Sequence, residues 1–183
     1  YKNEDKQARK ELLTVMEQAT RINQKDASVW DYMRQAALVN GKYNQAIQAQ
    51  DRIDQLQGYD GMSAINRYRI FVIQGKLKKA IRAIDDYLAL YPDDLQFLLF
   101  RAELLTATKA PTAQLLENYE HILRIDPANL MILNNYAYLL ATTGGDLRKA
   151  EQMSQLTIRE QPENATFLDT YAWILHLQGQ DSL

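Results

Sequence analysis

PANLMILNNYAYLL (127–140) and PENATFLDTYAWIL (162–175) are the stretches whose comparison decides the fold. Laid one on the other, they align Pro127 with Pro162, Leu133 with Leu168, Tyr136 with Tyr171, Ala137 with Ala172 and Leu140 with Leu175. One step earlier, PDDLQFLLFRAELL (92–105) supplies Pro92, Leu98, Ala102 and Leu105 at the same places. The step is 35 residues there, and 34 between Gly41 and Gly75 and between Ala46 and Ala80. Within a stretch, Leu133, Tyr136, Ala137 and Leu140 fall on one face of a helix. A fixed period of this length marks an array of two-helix units. Each unit cannot bury its apolar face alone and must stack on its neighbours.

Breaks between units follow backbone chemistry. Glycine ends a helix in left-handed geometry. Proline cannot continue one, and an adjacent Asp or Asn caps the next start. The reading is a single array over 1–183 with about nine helices. A lone helix at 4–22 carries Leu12, Leu13, Met16 and Ala19 on one stripe, and Asp26 or Ser28 caps the next start. Repeats follow at 27–60, 61–94, 95–129 and 130–164, and a partial repeat at 165–179. The hairpins are expected at 28–40 with 43–57, 62–74 with 77–91, 95–108 with 112–125 and 130–142 with 147–160, and the last helix at 165–178. The third turn is Lys109-Ala110-Pro111, with no glycine.

These landmarks resemble the tetratricopeptide repeat, a W-x2-L-G-x2-Y first helix followed by A-x3-F in the second and then Pro. Trp30, Met33 and Ala46 fit in the first full repeat; Gly75, Ala80, Ile84 and Pro92 in the second; Leu98, Ala102, Leu105, Tyr119 and Pro127 in the third. The fourth fits at Leu133, Tyr136, Ala137, Leu140, Ala150 and Pro162. Arg34, Arg67, Tyr68 and Leu115 depart from the pattern. The resemblance implies an all-α, right-handed α-solenoid. The stretch from Asn134 to Tyr138, with Leu168 to Trp173, is also similar to repeats of larger bacterial cell-envelope proteins. That likeness implies the periplasm or cell envelope, with the cytoplasm as the alternative.

Composition narrows the function. Net charge is −2, which argues against a dedicated nucleic-acid binder. There are no cysteines, so disulfides, thiolate metal sites and cysteine nucleophiles are excluded. No apolar run has the length of a membrane helix, and residues 1–5 carry no signal-peptide core. His121 and His176 lie 55 residues apart with no ligand spacing around either. No phosphate-binding glycine loop and no nucleophile elbow occurs. Asp85-Asp86 and Asp93-Asp94 read as helix-end residues, and Asn164-Ala165-Thr166 reads as a cap rather than a glycosylation site. No catalytic residue, cofactor or metal is therefore expected.

The family resemblance implies a concave groove lined by the first helices, where peptides or partner helices bind. Transfer of the second face of residues 130–142 along the array gives the groove candidates Gln35, Arg69, Asn134, Tyr138, Asp169 and Trp173, with Asn135 next to Asn134; Asn66 sits where the resemblance implies an amide of the family's chaperone-tail site. The amides both donate and accept, and the aromatics supply rigid contact area. The family's chaperone-tail site needs basic residues where this chain has Asp31, Gln96 and Phe100, so that ligand is rejected. Arg67 and Arg101 are expected to pack their stems and keep their tips in water. Lys76, Lys78, Lys79 and Arg82 form the densest positive cluster, a solvated surface or a seat for an acidic partner.

The reading is a non-enzymatic scaffold for a protein or peptide partner. Alternatives are a structural or assembly module acting through its convex face and ends, and RNA binding by helical repeats, which the charge disfavours. The last helix carries Leu168, Tyr171, Ile174, Leu175 and Leu177, more apolar positions than one packing face needs. That excess predicts a longer array or self-association through uncapped ends.

Overall fold

The structure, a computed structural model, describes residues 2–180, with side chains from residue 5 onward. Among them are ten helices and no strand, one for each of the ten expected ranges, against the stated count of about nine. They are α1 (Lys2–Ile22), α2 (Ala27–Val39), α3 (Tyr43–Gln57), α4 (Gly61–Ile73), α5 (Leu77–Leu88), α6 (Leu95–Ala107), α7 (Thr112–Ile125), α8 (Leu130–Thr142), α9 (Leu147–Glu160) and α10 (Ala165–Leu177). The chain divides into two compact units, Tyr1–Pro92 and Asp93–Leu183. In the first, α1 to α5 pack each on the next; in the second, α6 to α10 do the same, and α8 also meets α10.

Local chemistry sets the boundaries. Asp26, Asp60, Asp94, Asn129, Asp146 and Asn164 cap α2, α4, α6, α8, α9 and α10 through their side chains. Each satisfies one or two of the N–H groups that the first turn leaves unpaired. α5 stops at Leu88, three residues before the expected end. Pro92 biases Tyr91 away from helical geometry, and a short turn from Tyr87 to Leu90 and Tyr91 takes up the slack.

Five helices end on a glycine at positive φ: Gly41 (67°), Gly58 (94°), Gly75 (67°), Gly144 (71°) and Gly179 (75°). Lys109, at φ 50°, occupies the same place after α6. Its turn keeps the same closing bonds, Lys109 N–H to Thr106 O and Ala110 N–H to Leu105 O. A side chain in this geometry costs about 1–2 kcal/mol. The third hairpin therefore holds strain that the others avoid.

Core packing follows the small-residue register. Ala46, Ala80 and Ala150 are wholly buried, which lets the two helices of each hairpin approach closely. Leu115 occupies that place in the third hairpin and is buried too. There α6 and α7 meet over less of their length than α8 and α9. In the first unit Leu13, Met33, Ala36, Ala37, Ala49 and Ile70 form one cluster, with Met16 and Trp30 against it. Leu12, expected on the same stripe as Leu13, is exposed: α1 packs chiefly on α2, with Glu17 also bonded by Gln45 of α3, and Leu12 lies off the covered edge of the stripe.

Candidate functional site

Within the first unit, α2, α3 and α4 enclose a cleft of about 510 Å³. It brings together two of the expected residues, Gln35 and Asn66, with Asp31, Tyr32, Met62 and Ser63. Tyr32 and Met62 stand exposed at its mouth.

The floor is a polar network. The Gln50 side chain is fully buried, and its Oε1 accepts from Asn66 Nδ2 at 3.0 Å. Gln50 Nε2 donates to Asp54 Oδ1 at 2.8 Å. Ser63 Oγ donates to the same oxygen at 2.6 Å. Arg67 Nη2 closes the network on Asp54 Oδ2 at 2.5 Å and reaches Asp51 at 2.7 Å. Arg67 therefore does not hold its tip in water as expected; its side chain is 19% exposed and its charge is spent on two carboxylates. Burial alone would lower its pKa, but the bonds from Asp54 and Asp51 more than offset that and raise it.

Arg101, one repeat on, bonds Asn118 Oδ1 at 3.3 Å.

The network fixes which atoms face the cleft. Asn66 gives one of its two N–H groups to Gln50, which holds the amide in place and leaves its Oδ1 to accept from a ligand. Gln35 does the same: Nε2 donates to Asp31 Oδ2 at 2.7 Å. The Asp31 carboxylate also holds Arg34. With Asp60 on the lining as well, the cleft is rich in acceptors and suits a ligand that brings N–H donors. Arg69 is exposed on α4 and does not line it.

The other candidates lie in the second unit. Tyr138 on α8 and Trp173 on α10 are 53% and 44% exposed, and Asp169, four residues before Trp173 on α10, is exposed as well. Trp173 stacks on His176 with ring centres 5.5 Å apart. Asn135 is half-buried. Asn134 is not open to a ligand as expected: it is 3% exposed, and its Oδ1 is sealed from solvent without a hydrogen-bond partner. The packing of α8 against α10 as well as α9 closes over the face on which periodicity placed it.

A cluster that the sequence did not reveal joins α7, α8 and α9. Tyr136 Oη donates to Glu120 Oε1 at 2.5 Å, and Lys149 Nζ donates to Tyr136 Oη at 2.7 Å. Lys149 also sits 4.5 Å from the centre of the Tyr136 ring. Its bond to Tyr136 raises the Lys149 pKa, and the bonds from Tyr136 and Lys149 lower that of Glu120. Both shifts favour the charged forms, and the trio is a polar clamp across the three helices. Among the described residues no group of three or more His, Asp or Glu side chains could hold a metal ion. No helix there is long and apolar enough to cross a membrane.

No family model matches the chain, and no curated protein does. Solved structures do. A tetratricopeptide repeat protein of Parabacteroides merdae superposes with a TM-score of 0.68 at 17% identity, over 84% of this chain and 60% of that one. The fold is that of tetratricopeptide repeat proteins. YrrB, a repeat protein with an unusual peptide-binding site, gives a TM-score of 0.61 at 16% identity, over 89% of this chain and 83% of that one. MamA from Desulfovibrio magneticus gives 0.57 at 15% identity, over 86% and 88%. The chain thus spans three fifths of the Parabacteroides protein and most of the other two.

Proposed function

We propose that this repeat scaffold is non-enzymatic and binds an extended protein segment in the cleft of α2, α3 and α4. The observation that carries the reading is the pair of acceptor oxygens on Gln35 and Asn66, held by internal bonds over a buried floor. Preorganised acceptors avoid the ordering cost that a mobile side chain incurs on binding. They match backbone N–H groups or a Lys or Arg side chain of the ligand. Tyr32 and Met62 at the mouth supply apolar contact. YrrB, of the same fold, is described as having a peptide-binding site. Random peptides displayed on phage and selected on the immobilised protein should converge on sequences with basic residues. Binding of a selected peptide should weaken about tenfold or more in Tyr32→Ala and Asn66→Ala. Equal binding by both variants would move the site elsewhere.

A second reading, assembly through a helix face, draws on the exposed residues of α10. Leu133 is buried, whereas Leu168, one repeat later, is 43% exposed, and Ala172 and Trp173 are exposed with it. The register position that is buried on α8 is thus partly open on α10, and a helix from a second copy, or a further helix of a longer array, would fit it. Light scattering over a concentration series should then show a dimer that Leu168→Asp abolishes. A monomer at all concentrations would leave the peptide reading alone.

A further inference from the structure

A second cleft in the first unit, about 560 Å³, lies along the α4–α5 hairpin and shares no lining residue with the first. Its size falls within the range of about 300–1,000 Å³ of ligand sites. Phe71, Ala83 and Leu90 supply its apolar wall, and Leu90 is 60% exposed. The Tyr59 hydroxyl donates to the Ala83 carbonyl at 3.3 Å, which ties the loop before α4 to α5 and holds that wall in place.

Lys79 and Arg82 stand on the rim, one helical turn apart. Both are exposed. Lys79 lies 5.9 Å from the centre of the Phe71 ring, so cation and apolar wall adjoin. Arg67, which also lines the cleft, is neutralised by Asp51 and Asp54 and adds no free charge. Asp86 is the one acidic lining residue. Lys76 and Lys78, on the same turn of chain, raise the local positive charge further, although the whole chain carries −2.

From this juxtaposition we infer that the α4–α5 cleft is a docking site for an acidic segment of a partner protein that presents a large apolar side chain between carboxylates. The apolar side chain lies against Phe71, Ala83 and Leu90, and the flanking carboxylates face Lys79 and Arg82. The charge complementarity decides the class of partner, and the apolar wall separates it from a plain polyanion. A nucleic acid would use the cations and leave Leu90 idle. The site is independent of the α2–α4 cleft, which has the opposite electrostatic character.

The test is fluorescence anisotropy with a fluorescein-labelled octapeptide in which six glutamates flank a central Leu-Phe pair. Saturable binding is expected, weaker by about tenfold or more when Ser-Gly replaces Leu-Phe. K79E with R82E should weaken binding by at least as much, and L90D likewise. All three side chains are exposed, and circular dichroism checks that the variants stay folded. Asn66→Ala should leave this binding unchanged, which separates the failure of one site from that of the other. No saturation by about 1 mM, a weak-binding limit, would overturn the inference. So would equal binding of the Ser-Gly peptide, indifference to L90D, or heparin competition that depends on Lys79 and Arg82 but not on Leu90.

Discussion

Replacement of Asp54 by alanine probes the network on which the α2–α4 cleft rests. Asp54 is 12% exposed at its side chain and accepts from Gln50, Ser63 and Arg67. Its removal strands two buried neutral donors, each worth about 1 kcal/mol. Arg67 loses its nearer carboxylate but keeps Asp51, so its share falls toward the low end of the ~1.5–3 kcal/mol for a charged bond. The expected cost is about 3–4 kcal/mol in the first unit. Asp51→Ala serves as the internal control. Asp51 is half exposed, and the loss should stay below about 1 kcal/mol. The assay uses the two tryptophans, one in each unit: Trp30 on α2 and Trp173 on α10. In a Trp173→Phe background, urea unfolding followed by Trp30 fluorescence reports the first unit alone. That matters because an array of two compact units need not unfold in one step. A loss under about 1 kcal/mol for Asp54→Ala, or equal losses at Asp51 and Asp54, would refute the reasoning.

In the second unit, Lys109→Gly should stabilise by about 0.5–1 kcal/mol: relief of left-handed strain outweighs the added freedom of the unfolded glycine, and urea midpoints followed by Trp173 fluorescence measure it. Amides of residues 106–122 should exchange faster than those of 130–160, because the strained turn and Leu115 loosen the α6–α7 pair; equal protection would count against this account. The clamp of Glu120, Tyr136 and Lys149 makes stability depend on pH at both ends. The Lys149 and Tyr136 pKa values are both raised, so their contribution is present below about pH 10, the unfolded values, and is lost as pH rises through the folded ones. The Glu120 pKa is lowered, so its contribution is present above about pH 4.3 and is lost as pH falls through the folded value. Urea unfolding between pH 7 and 11 should show an alkaline decline that Tyr136→Phe flattens.

Periodicity reports which face of a helix a residue occupies, and the fold was legible to that extent. The register of Ala46, Ala80 and Ala150 located three hairpins, and all three residues are sealed between helices. It does not report what covers the face. Leu133 and Leu168 share a register position, yet one is buried and the other open, since burial belongs to the neighbour and not to the residue. Asn134 fails in the opposite sense: its face looked open, and the approach of α10 to α8 closed it. The ion pairs of Arg67 were hidden for a related reason. Asp51 and Asp54 belong to the preceding helix, 16 and 13 residues back, beyond the spacing at which one helix pairs its own charges. Asn66, by contrast, was found through its match to a family position and not by face, but its usefulness to a ligand comes from Gln50, whose burial no pattern of polar residues announced.

The strain at Lys109 was within reach of the sequence, and its case shows where closer arithmetic would have served. Gly41 and Gly75 are 34 residues apart, and one further step of 34 lands on Lys109. A lysine at a position where the two preceding repeats place glycine either moves the turn or accepts left-handed geometry. The turn did not move: the N–H of the next residue, Lys42, Lys76 or Ala110, bonds the carbonyl five residues back in all three hairpins. That conserved closure fixes the backbone, so the strain falls on the side chain. A glycine at 109 would therefore meet a turn already formed for it, with no rearrangement of α6 or α7 to offset the gain.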